Sequence, residues 1–127
     1  SISRCCIGNL IESNPAMFSN MKNLKELEFS HVPNMRSLDS NLLNGLNNLV
    51  KFKLKNTGIE TIKQKIFKNL NKLESLSINS HNCLQIEPYA FYGLANLRIL
   101  IINNNRLNEI NDETFNGLEN LIKLKLV

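Results

Sequence analysis

The sequence predicts an α/β solenoid built from short repeats, and three observations carry that prediction. Leu49, Leu73, Leu97 and Leu121 recur at intervals of 24 residues, and self-similarity at a fixed period of that length is the signature of a stacked-repeat architecture. Within each period the apolar spacing changes from two, which suits one face of a strand, to three, which suits a helical turn. Composition agrees: the 127 residues contain 22 Asn and 21 Leu and no Trp. A hydrophobic fraction of 43% with 20% charge places the chain among soluble globular sequences and excludes disorder.

The elements follow in order along the chain. A first unit, about residues 2–23, opens with Ile2, Cys5 and Ile7 and leads through Phe18 and Met21. The second, 24–48, opens with Leu24, Leu27 and Phe29 and holds one extra residue, so Leu38, Leu43 and Leu46 arrive one step late. Units 49–72, 73–96 and 97–120 keep one phase, with apolar residues at offsets 3, 5, 10, 13, 18 and 21 from the first leucine. A partial unit, 121–127, ends the sequence. The pair at offsets 3 and 5 (Phe52 and Leu54, Leu76 and Ile78, Leu100 and Ile102) predicts the inward side of a strand. Phe67 with Leu70, Phe91 with Leu94 and Phe115 with Leu118 predict the turn on the opposite side. No such unit buries its apolar face alone, whereas a stack makes a continuous core. Gly45, Gly93 and Gly117 read as turn residues.

The segment Leu97-Arg-Ile-Leu-Ile-Ile-Asn-Asn-Asn105 and the back half Ile86-Glu-Pro-Tyr-Ala-Phe91 resemble the 24-residue extracellular form of the leucine-rich repeat, as in Toll-like receptor, chaoptin and Slit ectodomains. The resemblance spans essentially the whole chain. It implies a right-handed arc with a parallel sheet on the concave face and short helical or 3-10 turns on the convex face. It also implies an Asn at offset 8 that satisfies backbone groups along the turn. That offset holds Val32, Thr57, His81 and Asn105; the Thr57 hydroxyl can serve in part, while Val32 cannot, so an irregular turn is expected there. The resemblance further implies a secreted or ectodomain location and a window on a longer protein.

Outward residues at offsets 2, 4 and 6 map the concave surface. In order they are Glu26, Glu28 and Ser30, then Lys51, Lys53 and Lys55, Ser75, Ser77 and Asn79, Ile99, Ile101 and Asn103, and finally Lys123, Lys125 and Val127. Unit 49–72 carries seven lysines against Glu60 alone, although the whole chain is only +4, so its basicity is local. Such a patch suits an anionic glycan or lipid, with affinity falling as salt rises; pairing of Lys51 and Lys53 with Glu26 and Glu28 is the bland alternative. Lys63, Lys65, Lys68 and Lys72 lie in the back half, away from the concave triplet. Adjacent outward isoleucines at 99 and 101 beside Lys123 and Lys125 fit the core and rim of a protein contact. The candidate binding residues are therefore Lys51, Lys53, Lys55, Ile99, Ile101, Lys123 and Lys125.

Three cysteines cannot all pair internally. Cys83 takes the offset of Ile59 and Leu107 and reads as a small core hydrophobe, and Cys5 replaces a strand leucine. Cys6 then points outward, either for an intermolecular disulfide or as an incidental thiol. No N-x-S/T acceptor is present among the 22 Asn, which counts against secretion. His31 and His81 lie two units apart with no triad or zinc partners, and no phosphate loop or metal- or cofactor-binding motif is found. The basic residues lack interleaved aromatics, so there is no specific nucleic-acid signal. No apolar run reaches the roughly 18 residues a membrane span needs. These features predict a non-enzymatic recognition module with a protein partner and a possible homo- or heterodimer, and the resemblance implies a receptor or innate-immune type. Adhesion or scaffolding, and anionic glycan or lipid binding, are the alternatives.

Overall fold

A computed structural model describes residues 2–3, 16–83, 85–103 and 106–127. Eight strands occur among the described residues: β1 (Ile2–Ser3), β2 (Glu26–Val32), β3 (Lys51–Thr57), β4 (Thr61–Ile62), β5 (Ser75–Ser80), β6 (Gln85–Ile86), β7 (Ile99–Asn103) and β8 (Lys123–Leu126). Six of them form one sheet in the order β1-β2-β3-β5-β7-β8, and every pairing is parallel. β4 and β6 make a second, two-stranded parallel sheet on the return path. The chain is thus a parallel-strand solenoid whose successive coils lie beside one another.

The register follows the sequence period. Phe52 pairs with Leu76, Leu76 with Leu100, and Leu100 with Leu124, so equal offsets align across strands. One continuous core results, with Leu49, Phe52, Leu54, Phe67, Leu70, Leu73, Leu76, Ile78, Phe91, Leu94, Leu97 and Leu100 all fully enclosed. Through it runs a file of rings, Phe18, Phe29, Phe52, Phe67, Phe91 and Phe115, with centroids 5.8 to 6.3 Å apart. Cys83 is buried as expected, and burial pushes its thiol up despite a contact with the Gln85 carbonyl. Cys5, Cys6 and Asn105 lie outside the described residues.

Several expectations need correction. Among the described residues no helix forms on the return path. The backbone there makes separate turns closed by i→i+3 hydrogen bonds, such as Leu70 N–H to the Phe67 carbonyl and Leu73 N–H to the Leu70 carbonyl. Left-handed residues interrupt the right-handed helical run: Gly45, Gly93 and Gly117, with Lys65 and Tyr89 earlier on the path. Met21 and Ile110 are exposed at 44% and 42% and are not core residues. Leu124 and Leu126, inward by pattern, are exposed at 45% and 44% on β8, the edge strand of the sheet among the described residues.

The polar position after the strand also differs. His31 and Asn56 adopt positive φ, each adding a residue that turns the next side chain inward, so Val32 and Thr57 are both buried. The fourth unit, 73–96, has no such residue at that point, and Thr57 pairs with Ser80 rather than His81 after a register shift. The Thr57 hydroxyl, expected to satisfy the turn, makes no hydrogen bond. Ser80 does that work instead, its Oγ lying 3.0 Å from the Thr57 carbonyl and 2.8 Å from that of Ile59.

Candidate binding surface

Strand pairing turns the outward offsets into rows across the sheet. The first row is Glu26, Lys51, Ser75, Ile99 and Lys123; the second is Glu28, Lys53, Ser77, Ile101 and Lys125. Each candidate residue therefore faces its equivalent one strand away, roughly 4.8 Å across the ladder. Ile99 and Ile101 project outward while Leu100 and Ile102, between and after them, are 0% and 1% exposed. Ile99 is 37% exposed and Ile101 half-buried. The pair forms an apolar strip with serines on one side and lysines on the other. In the third row Lys55 is exposed, but Ser30 is buried and does not contribute to the surface.

The electrostatics of the face are uneven. Lys51 Nζ sits 2.9 Å from Glu26 Oε1. The hydrogen bond from that ammonium, its charge, and the more distant Lys53 hold the Glu26 carboxyl below the usual carboxylate range. Glu28 and Lys53 are register partners, yet among the described residues no ion pair joins them. The expected double pairing is thus half realised, leaving Lys53 and Lys55 without an ion pair among the described residues, beside a neutralised corner.

At the end of the strands His31 and His81 are brought together through a residue the sequence analysis did not single out. Asn56 Nδ2 lies 3.2 Å from His31 Nε2, and His81 Nε2 lies 3.0 Å from Asn56 Oδ1. This ladder is built from side chains 25 residues apart in sequence. A second ladder, also missed, edges the other end of the strands. The Asn preceding the first leucine of a unit donates to a backbone carbonyl of the unit before: Asn48 to Lys22, Asn96 to Asn71 and Asn120 to Ala95, each at 2.7 Å. Where Lys72 replaces that Asn, its ammonium reaches Asn48 Oδ1 at 2.7 Å. The Asn-Leu dipeptide repeating at 48, 96 and 120 was the visible signal.

The back of the third unit gathers the remaining lysines. Lys63, Lys65 and Lys68 line an open cleft of about 590 Å³ together with Ser37, Asp39 and Ser40 of the preceding unit. No group of three His, Cys, Asp or Glu residues suited to a metal ion occurs among the described residues, and no helix there is long and apolar enough to cross a membrane.

Repeats of this length, aligned in one parallel sheet over a leucine core, define a leucine-rich repeat protein. Residues 9–127 match the BspA type leucine rich repeat region in six copies, and the chain belongs to that family. Its backbone is similar to a TLR13 chain solved in complex with ssRNA13, with a TM-score of 0.58 and 31% identity over 82% of this chain. The match spans 18% of that protein's length. No curated protein sequence matches the chain.

Proposed function

We propose that this chain is a non-enzymatic recognition module of an extracellular receptor-type protein with a role in innate recognition, and that it binds a protein partner through the concave face. The observation that carries the reading is the outward placement of Ile99 and Ile101 in a register whose inward residues are fully enclosed. An apolar strip rimmed by Ser75, Ser77, Lys123 and Lys125 matches the anatomy of a contact core with a polar rim. The lysines favour a partner with acidic residues around an apolar centre. The TLR13 likeness supports a recognition role for the fold. The concave rows hold no aromatic ring on which a base could stack, and this favours a protein surface over single-stranded nucleic acid.

The test is capture of partners from extracellular fluid by the native chain and by Ile99→Asp and Ile101→Asp, with circular dichroism to show unchanged folding. Both variants should lose a partner that the native chain and Ser75→Ala retain. Capture unaffected by either aspartate would refute the concave reading. Sedimentation of the same proteins settles adhesion: self-association abolished by the two substitutions would make the partner a second copy.

A further inference from the structure

We propose that the cleft on the back of the third unit is a second binding site, separate from the concave face, for a sulfated polysaccharide. Lys63, Lys65 and Lys68 line it, and among the described residues none of the three ammonium groups has a carboxylate within ion-pairing distance. The carboxylates nearby make other contacts, and Asp39, which lines the cleft, leaves three lysines against one acid there. Asp39 Oδ1 accepts the Asn41 N–H at 2.7 Å, Glu60 pairs with Arg36 at 3.4 Å, and Glu87 Oε2 accepts the Gln64 N–H at 2.7 Å. The cluster thus gathers three lysines without a salt bridge, Lys65 lying against the Tyr92 ring, in a cleft that Ser37 and Ser40 also line. That is an unequal arrangement for a surface without a ligand, because like charges on neighbouring positions repel.

The chemistry of the walls selects the ligand. Ammonium groups are compact point charges suited to single anionic oxygens, and serine hydroxyls add donors for sulfate or ring oxygens. A membrane surface finds nothing to receive it, since Leu38 and Ile66, the apolar residues of the cleft, are buried at 4% and 8%. A nucleobase finds no aromatic ring among the residues that line the cleft, and Lys65 Nζ already sits 5.2 Å from the centroid of the neighbouring Tyr92 ring. An extended anionic chain that needs neither stacking nor insertion is what remains. The concave lysines are a weaker site for it, because Glu26 neutralises Lys51 there and Glu28 adds a second negative charge beside Lys53.

The experiment measures binding of a heparin octasaccharide to the whole chain by calorimetry across a salt series. Double-stranded DNA and desulfated heparin are run beside it. The native chain should bind the sulfated probe with affinity that falls as salt rises, and desulfated heparin should not bind. Lys63→Gln with Lys68→Gln should weaken binding at least tenfold and reduce the slope of log affinity on log salt by about two, as expected for two lost charge contacts. Ser40→Asp, which adds a carboxylate to the cleft without removing a lysine, should weaken it as well. Lys53→Gln with Lys55→Gln should leave it within about twofold. Three results would overturn the proposal: unchanged binding in both cleft variants, loss in the concave variant alone, or equal affinity for DNA through the same lysines. None of them bears on Ile99 and Ile101, so the concave reading stands or falls separately.

Discussion

Replacing Phe67 with alanine should expose how far the stack depends on its ring file. Phe67 is fully enclosed, with the Phe52 ring edge-on at 6.3 Å and the Phe91 ring stacked at 6.1 Å. Truncating an enclosed phenylalanine costs about 3–5 kcal/mol, combining lost transfer energy and the cavity left behind. The two ring contacts account for about 0.5–1.5 kcal/mol each within that figure. Phe115 is the internal comparison: it is only half-buried and has one ring neighbour, Phe91, at 6.0 Å. Its truncation should cost about half as much, roughly 2 kcal/mol. Urea unfolding monitored by circular dichroism reads the difference. With a slope of about 2 kcal/mol/M for a chain of this size, Phe67→Ala should lower the midpoint by about 2 M and Phe115→Ala by about 1 M. Equal shifts, or a Phe67 cost under about 1.5 kcal/mol, would show that neighbouring coils close over the gap and that the file is not a rigid spine.

Other perturbations test the edges and the surface. Asn96→Ala removes the bond to the Asn71 carbonyl and should cost about 1 kcal/mol in the same assay; Asn96→Asp should cost more at neutral pH, where the carboxylate faces a carbonyl, and recover as it protonates near pH 4. Gly93→Ala combines φ of +93° with a Cβ that would lie 2.8 Å from the Lys68 backbone, whereas at Gly117, also at φ +93°, the nearest atom is 3.6 Å away; the first should destabilise by more than about 2 kcal/mol and the second by about 1. The depressed Glu26 carboxyl contributes stability that is present above the usual carboxylate pKa and lost as pH falls through its lowered value. Lys51→Met should raise that value toward normal in an NMR titration, and added salt should shrink the difference.

The period of 24 made the strand offsets legible because stacking demands that the same side chains recur in the same places. Leu76, Ile78, Leu100 and Ile102 are inward for that reason, and Ile99 and Ile101 are outward by the same alternation. What the period could not show is where the backbone departs from it. His31 and Asn56 each insert a left-handed residue that the fourth unit, 73–96, lacks at that point, so a fixed offset pointed to His81 where Ser80 occupies the inward polar site. Three-residue apolar spacing is shared by helices, 3-10 turns and successive separate turns; left-handed glycines break the described return path into separate i→i+3 turns. The Asn ladder at 48, 96 and 120 was present in the sequence, but its meaning depends on a carbonyl one unit earlier. The back cleft needed the same knowledge, since Ser37 and Ser40 approach Lys63 and Lys68 only across the coil.

In-register stacking also constrains how charge can be distributed. A residue and its equivalent 24 positions on become neighbours, so a chain of identical units would pile like charges into columns. Here the neighbours are varied instead. Lys51 has Glu26 on one side and Ser75 on the other; Lys53 has Glu28 and Ser77. On the back, the positions 24 beyond Lys63, Lys65 and Lys68 are Glu87, Tyr89 and Tyr92, and Lys72 bonds Asn48 at the same interval. Each coil can therefore carry its own surface chemistry without disturbing the leucine positions that hold it to the next. The lysine-rich coil is the clearest case: its buried Leu49, Phe52, Leu54, Phe67 and Leu70 sit at the same offsets as the apolar residues of the next coil, while its lysines at 51, 53 and 55 face solvent. Selection on binding can then act one coil at a time.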